Sequence, residues 1–159
     1  MPDMLHAHAD SQPIAAWGRT PWMPFALAEL GQREIFGAKD NPRIQAYYAA
    51  VVGAKGRRLK DEVPWCAAFV GWALRQAGLP NTGSLAARSY LRWGVEAVAP
   101  FPGCVVVFSR PPNPASGHVA FWMGAEGKSV LVLGGNQGDR VCVKPYPAAR
   151  VLAYRQAVA

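Results

Sequence analysis

Acidic residues are scarce in this sequence: ten Asp and Glu stand against 17 Lys and Arg in 159 residues, a formal net charge of +7. Long apolar runs are missing too. The longest, Cys66 to Leu74, falls well short of the roughly 18 to 20 residues that cross a bilayer, so no integral membrane association is expected. Cysteine is confined to Cys66, Cys104 and Cys142, an odd number that leaves at least one thiol free in a monomer, and a core of this size needs no disulfide framework. Their flanks, PWCAAF, PGCVVV and RVCVKP, share no pattern, so their even spacing is no repeat. Beyond the first ten residues histidine occurs once, at His118. The amino terminus, MPDMLHAHADSQPIAAW, lacks the basic-then-apolar order of a secretory signal.

What is present points to a packed core. Hydrophobic residues make up 51% and charged residues 17%, enough apolar surface to offset the ordering entropy of one domain. Residues 1–20 carry prolines and small polar residues without periodicity and read as an extended leader; residues 21–159 read as a single domain. His6, His8 and Asp10 fall in that leader, where nothing holds a metal site together. A helix is predicted from Pro21 to Leu30 and a second from Pro42 to Val51, the latter opened by an Asn41 cap. KGRRLKDE forms a charged connection, followed by a helix that starts at Pro64 and stops at Gly78, and by a shorter one from Ser84 to Trp93. After Pro102-Gly103 the residue types change. Val105 to Phe108, His118 to Trp122, Val130 to Leu133 and Val151 to Tyr154 are β-branched and aromatic runs between turn residues, read as antiparallel strands. The fold class is therefore α+β, helices first and sheet second.

Cys66 falls in the first turn of its helix, where unpaired N–H groups and the dipole favour a thiolate. Cys104 and Cys142 lie in strand-like runs and read as core. His118 is the one domain histidine able to take a proton from the thiol and return it to a leaving amine. Such an imidazole needs an acceptor to fix its tautomer, and Asn136 in the loop GGNQGD is the first choice, with Gln137 and Asp139 as alternatives. That loop has no Lys-Ser/Thr, so it is not a phosphate-binding P-loop. No nucleic-acid-binding motif accompanies the positive charge, and no specific nucleic acid is expected.

The ordered motifs PWCAAFVGWAL, SGHVAFWMG and LGGNQGD resemble the papain-like cysteine amidase and peptidase superfamily that includes CHAP and NlpC/P60 domains. With PWMPFALAELGQREIFG, NPRIQAYY and ARSYLRWG, the stretch from about Pro21 to Arg155 is similar to its phage- and prophage-associated peptidoglycan hydrolases. The resemblance implies Cys66 as nucleophile, His118 as base and Asn136 as third member, a helical lobe packed on an antiparallel sheet, and no metal or other cofactor. It implies peptidoglycan as substrate, an anionic cell envelope as partner, and a cognate inhibitor protein if the chain is a toxin. Action in the periplasm or wall after non-classical delivery from the cytoplasm would follow. The sequence departs from the commonest NlpC/P60 form in having Trp65, not Asp, before the nucleophile. Trp65 is then either a cleft wall or core, and Glu62 or Asp61 would supply polar contacts; Trp65, Glu62 and Gln137 are the expected substrate-binding residues. Two alternatives remain: a wall-binding or structural module without turnover, and a cysteine hydrolase of another amide or protein.

Overall fold

The computed structural model describes residues 17–37 and 39–158, so the His6, His8 and Asp10 group and most of the expected leader lie outside the described residues. Residues 17–20, assigned to that leader, are in fact part of the fold. Trp17 is buried in the core, Thr20 N–H bonds Trp17 O at 3.0 Å, and Thr20 Oγ1 donates to Pro102 O at 3.2 Å.

Three α-helices follow: α1 (Met23–Ala28), α2 (Pro42–Val52) and α3 (Cys66–Gln76). Helix α2 begins where the sequence places a cap. Asn41 is extended, its side chain accepts from Arg43 N–H at 2.8 Å, and Pro42 contributes a preset φ while lacking the N–H that would need a partner. Helix α3 has no side-chain cap, and every residue from Cys66 to Leu74 is buried. It is held by what surrounds it rather than by its own ends. Aromatic rings do most of this: Tyr47 lies 5.9, 5.4 and 5.2 Å from Trp65, Phe69 and Trp72, and Phe69 lies 6.1 Å from Phe121 of the sheet. The segment expected as a helix from Ser84 to Trp93 is a 3-10 helix restricted to Ala87–Arg92, with Tyr90 and Trp93 buried. Part of the charged connection is also a 3-10 helix, Ala54–Arg58, with Gly56 pressed against α2.

Six antiparallel strands form one sheet: β1 (Val95–Glu96), β2 (Val105–Ser109), β3 (Gly117–Glu126), β4 (Ser129–Gly134), β5 (Cys142–Pro147) and β6 (Val151–Gln156), in the order β1-β6-β2-β3-β4-β5. The four expected strands are present. Strands β1 and β5 were not anticipated, and Pro145 and Pro147 place β5 at an edge, where a missing N–H is tolerated. Alternation divides the sheet into two faces. Val105, Val107, Val119, Phe121 and Leu133 join the helical core, while Val106, Phe108, Ala120, Val130 and Val132 form a second cluster. Phe108 of β2 and Tyr146 of β5 stand 5.1 Å apart although two strands separate them, so the sheet curls around this second cluster. Among the described residues no helix is long and apolar enough to cross a membrane.

A buried carboxylate joins the helices. Glu29, at the end of α1, accepts from Arg43 Nε, from the Arg43 guanidinium again at 3.0 Å, and from Tyr47 OH at 2.8 Å, while Arg43 lies 5.2 Å over the Trp72 ring. Burial and the adjoining Glu29 charge raise the Tyr47 pKa well above the ordinary phenol value, keeping it a donor. Glu29→Ala is expected to cost about 3 kcal/mol, because it strands the Tyr47 hydroxyl and one face of Arg43. Arg43→Ala should cost less, about 1 kcal/mol, since the Arg43 side chain is 48% exposed. Urea unfolding of the two variants measures both, and equal costs would contradict this ordering.

Candidate active site

Helix α3 brings Cys66 to the sheet at the start of β3. The sulfur is reached by the N–H groups of Cys66 and Ala67 in the first helical turn and by the N–H of Val119 on β3. The residue is 6% exposed. Burial changes the expected electrostatics. The three N–H groups and the Arg110 cation all favour the thiolate, yet desolvation outweighs them and pushes the thiol pKa above its usual value. A helix amino terminus alone therefore does not produce a resting thiolate here, contrary to the sequence expectation.

His118 is the second residue of β3, paired with Phe108 of β2. Its ring is 1% exposed and lies in an aromatic stack, 4.8 Å from Tyr146 at an interplanar angle of 19° and 6.1 Å from Phe108. Nε2 is hydrogen-bonded to Gln137 Oε1 at 2.9 Å. The other end of that amide decides the direction. Gln137 Nε2 donates to Cys142 O at 2.7 Å and to Val132 O at 3.4 Å, so Oε1 is the acceptor and His118 Nε2 carries the proton. Nδ1 is then the basic nitrogen, and it is buried with no hydrogen-bond partner. Burial lowers the His118 pKa to about 4; the Gln137 bond opposes this, while Arg110 and Lys144 add to it. Cys66 and His118 are thus both held toward their neutral forms.

The residue beneath the imidazole is Gln137, not Asn136. Asn136 takes the left-handed φ of 59° at the turn, a conformation asparagine tolerates, and it is the next side chain that is buried and meets His118. Gln137 is 1% exposed and its amide is turned to His118, so it offers no surface for the substrate contact expected of it. Cys142, assigned to the core, is part of this network: its thiol donates to Gln137 O at 3.3 Å. Cys104 is buried as expected, its pKa raised to about 11 by desolvation, and all three cysteines are free.

Trp65 has no exposed surface, which excludes the cleft-wall reading; its indole N–H donates to Glu34 Oε1 at 2.9 Å. Asp61 is used structurally, its Oδ2 accepting from the N–H groups of Ile35 and Asn41 at 2.9 and 2.8 Å. Glu62 is exposed and lines a cavity of about 290 Å³ with Glu34, Asp40, Asp61 and Asp139 among others, gathering five of the ten acidic residues of the chain. Burial and the crowding of Asp139, Asp61 and Glu62 raise the Glu34 pKa against the lowering effect of its Trp65 bond. Tyr146 and Arg110 escaped sequence reasoning. The two prolines flanking Tyr146 conceal its strand, and Arg110 lies in the proline-rich β2–β3 loop with no periodic signal. Among the described residues no group of three His, Cys, Asp or Glu has a metal-site arrangement.

A thiol at a helix start, an imidazole on a facing antiparallel strand and an amide orienting it define a papain-like α+β architecture. Residues 58–136 match the CHAP domain. The fold is similar to the crystal structure of a lipoprotein-like protein of the NLP/P60 family from Staphylococcus aureus subsp. aureus Mu50, with a TM-score of 0.53 and 16% identity over 93% of this chain and 43% of that one. This chain spans less than half the length of that relative. A search of curated protein sequences returns no match. Residues 58–136 thus carry the match to CHAP domains, which are generally cysteine amidases and peptidases linked to peptidoglycan, and the chain has the papain-like fold of that NLP/P60 structure.

The depressed His118 pKa has a consequence for stability. Between its ordinary value of 6.5 and about 4 the unfolded chain binds a proton at this site that the folded chain does not, so folding stability falls as pH falls through that window. The total is about 3 kcal/mol at 1.36 kcal/mol per unit. Urea midpoints at pH 7 and pH 4 should show this loss, and His118→Gln should reduce it; an identical pH dependence in the variant would refute the assignment.

Proposed function

We propose that this protein hydrolyses an amide bond of the peptidoglycan peptide, with Cys66 as nucleophile, His118 as general base and acid, and Gln137 as the residue that orients the imidazole. The observation that carries this reading is the directed chain Cys142 O, Gln137 amide, His118 ring. It favours the proton on Nε2 and leaves Nδ1 as the free base, on the residue next to Val119, whose N–H is within reach of the Cys66 sulfur. The superfamily supports the substrate class, and the net charge of +7 supports approach to an anionic envelope.

Because both partners are neutral at rest, the thiol loses its proton to Nδ1 as sulfur attacks the carbonyl carbon, not before. The sulfur–carbon bond forms and the carbonyl pair moves to oxygen. Collapse of this intermediate breaks the carbon–nitrogen bond, with the proton passing from Nδ1 to the departing amine. Water then adds to the thioester, His118 taking its proton, and the acid product leaves with the thiol restored. Glu62, exposed at a cavity lined by both acidic and basic side chains, is the proposed substrate contact.

Purified sacculi incubated with the wild type should release fragments with new amine ends, and Cys66→Ala should release none. Equal release by both proteins, or by neither, would overturn the reading, and fragment masses identify the bond. Gln137→Ala should lower kcat/KM about 10- to 100-fold, the effect of losing a hydrogen bond to a group that becomes charged. The acid limb of kcat/KM should fall near pH 4, because the base must be unprotonated and its pKa is about 4; a limb at 6.5 would indicate an imidazole in ordinary surroundings.

A further inference from the structure

The phase of the sheet determines where the Val119 amide points. Trp122 N–H donates to Cys104 O at 2.9 Å, and its carbonyl accepts from Gly103 N–H at 2.7 Å, so both backbone groups of Trp122 face the β2 side. In an antiparallel ladder the direction alternates. His118 and Ala120 therefore turn their backbone groups toward β2, while Val119 and Phe121 turn theirs toward β4. The β3–β4 pairing stops at Phe121↔Leu133, and β4 ends at Gly134. No β4 residue stands opposite Val119.

The reason lies at Gly135. A Cβ on this residue would stand 2.7 Å from the Phe69 Cβ and 2.7 Å from the Trp65 ring, so its backbone is wedged against the first turn of α3 and has left the sheet. On this unpaired side the Cys66 sulfur lies within reach of the Val119 N–H. A buried N–H normally has a partner, and the Cys66 thiol is the group near enough to serve.

We propose that the Val119 backbone N–H is a catalytic group that donates a hydrogen bond to the Cys66 sulfur, stabilising the thiolate as it forms and again as the thioester expels it. This rests on the hydrolase reading for its purpose. On attack, the S–H proton goes to His118 Nδ1 and the developing sulfur charge is met by Val119 from the strand, opposite the two helical N–H groups. Once sulfur is acylated it is a poor acceptor. When the water adduct collapses, the carbon–sulfur pair returns to sulfur and the same N–H receives the charge. The charged or titratable groups that couple electrostatically to the sulfur are Arg110 from the β2–β3 loop, Tyr90 from the 3-10 helix and Tyr146 from β5.

The test needs no peptidoglycan, so its outcome is separable from that of the hydrolase assay. In amide NMR across the titration of Cys66, the Val119 proton should move downfield with the midpoint found from the pH dependence of iodoacetamide alkylation, and this inflection should vanish in Cys66→Ala. A Val119 amide that stays flat through the alkylation midpoint, or keeps the inflection in Cys66→Ala, overturns the proposal. Replacing the Val119 peptide N–H by an ester oxygen should raise the alkylation midpoint by about one to two units, the size of a charge-assisted hydrogen bond. The same change at Phe121, whose N–H faces β4, should leave the midpoint in place. An unchanged midpoint in the folded Val119 ester overturns the proposal, and if that ester does not fold the NMR result decides alone.

Discussion

The site depends on a close backbone contact at Gly135, which lies against Trp65 and Phe69 where no side chain fits. Through that contact the end of β4 is bound to the first turn of α3. Three features share this origin. The ladder between β3 and β4 ends one pair early, the turn that follows is fixed beneath β3, and the buried side chain at its second position meets His118. Residues 31–34 brace the same turn, with Gly31 N–H bonding Val141 O and Glu34 N–H bonding Asp139 O, both at 3.0 Å. The aromatic core of the helices and the polar network under the imidazole are thus continuous, and a change in one is transmitted to the other.

Within this frame two opposing effects act on the reacting pair. The helix start, the strand amide and Arg110 favour a charged sulfur, whereas desolvation opposes charge on sulfur and ring alike. Desolvation prevails at rest. The hydrogen-bond donors therefore matter most when charge appears, since preorganised dipoles in a dry site act on a developing charge more strongly than water would. Arg110 carries a further implication of this kind. It favours the thiolate and disfavours the imidazolium, so one exposed cation biases both partners toward releasing protons.

Much of this was legible in the sequence. The Cys66 position at a helix start and His118 in a strand follow from apolar periodicity and turn residues, and the order of helices before strands gave the fold class. The third polar residue was misplaced by one position, because a loop sequence does not reveal which of two adjacent amides takes the left-handed turn and which is buried. Strand β5 was invisible since its prolines contradict strand propensity, although an edge allows them. The direction of the Cys66 shift was also beyond local reasoning. Helix position is read from neighbours in the chain, whereas burial is set by Trp65, Phe69 and the sheet, which are brought together only by folding.

The stack of Phe108, His118 and Tyr146 spans three strands and closes the curl of the sheet. Turning the imidazole would break its stacking on Tyr146 and its hydrogen bond to Gln137. The rotational entropy of the base is therefore surrendered when the sheet forms and not when a substrate binds. The orientation of the His118 ring is thus a by-product of folding: any condition that keeps the sheet curled also keeps the imidazole aligned.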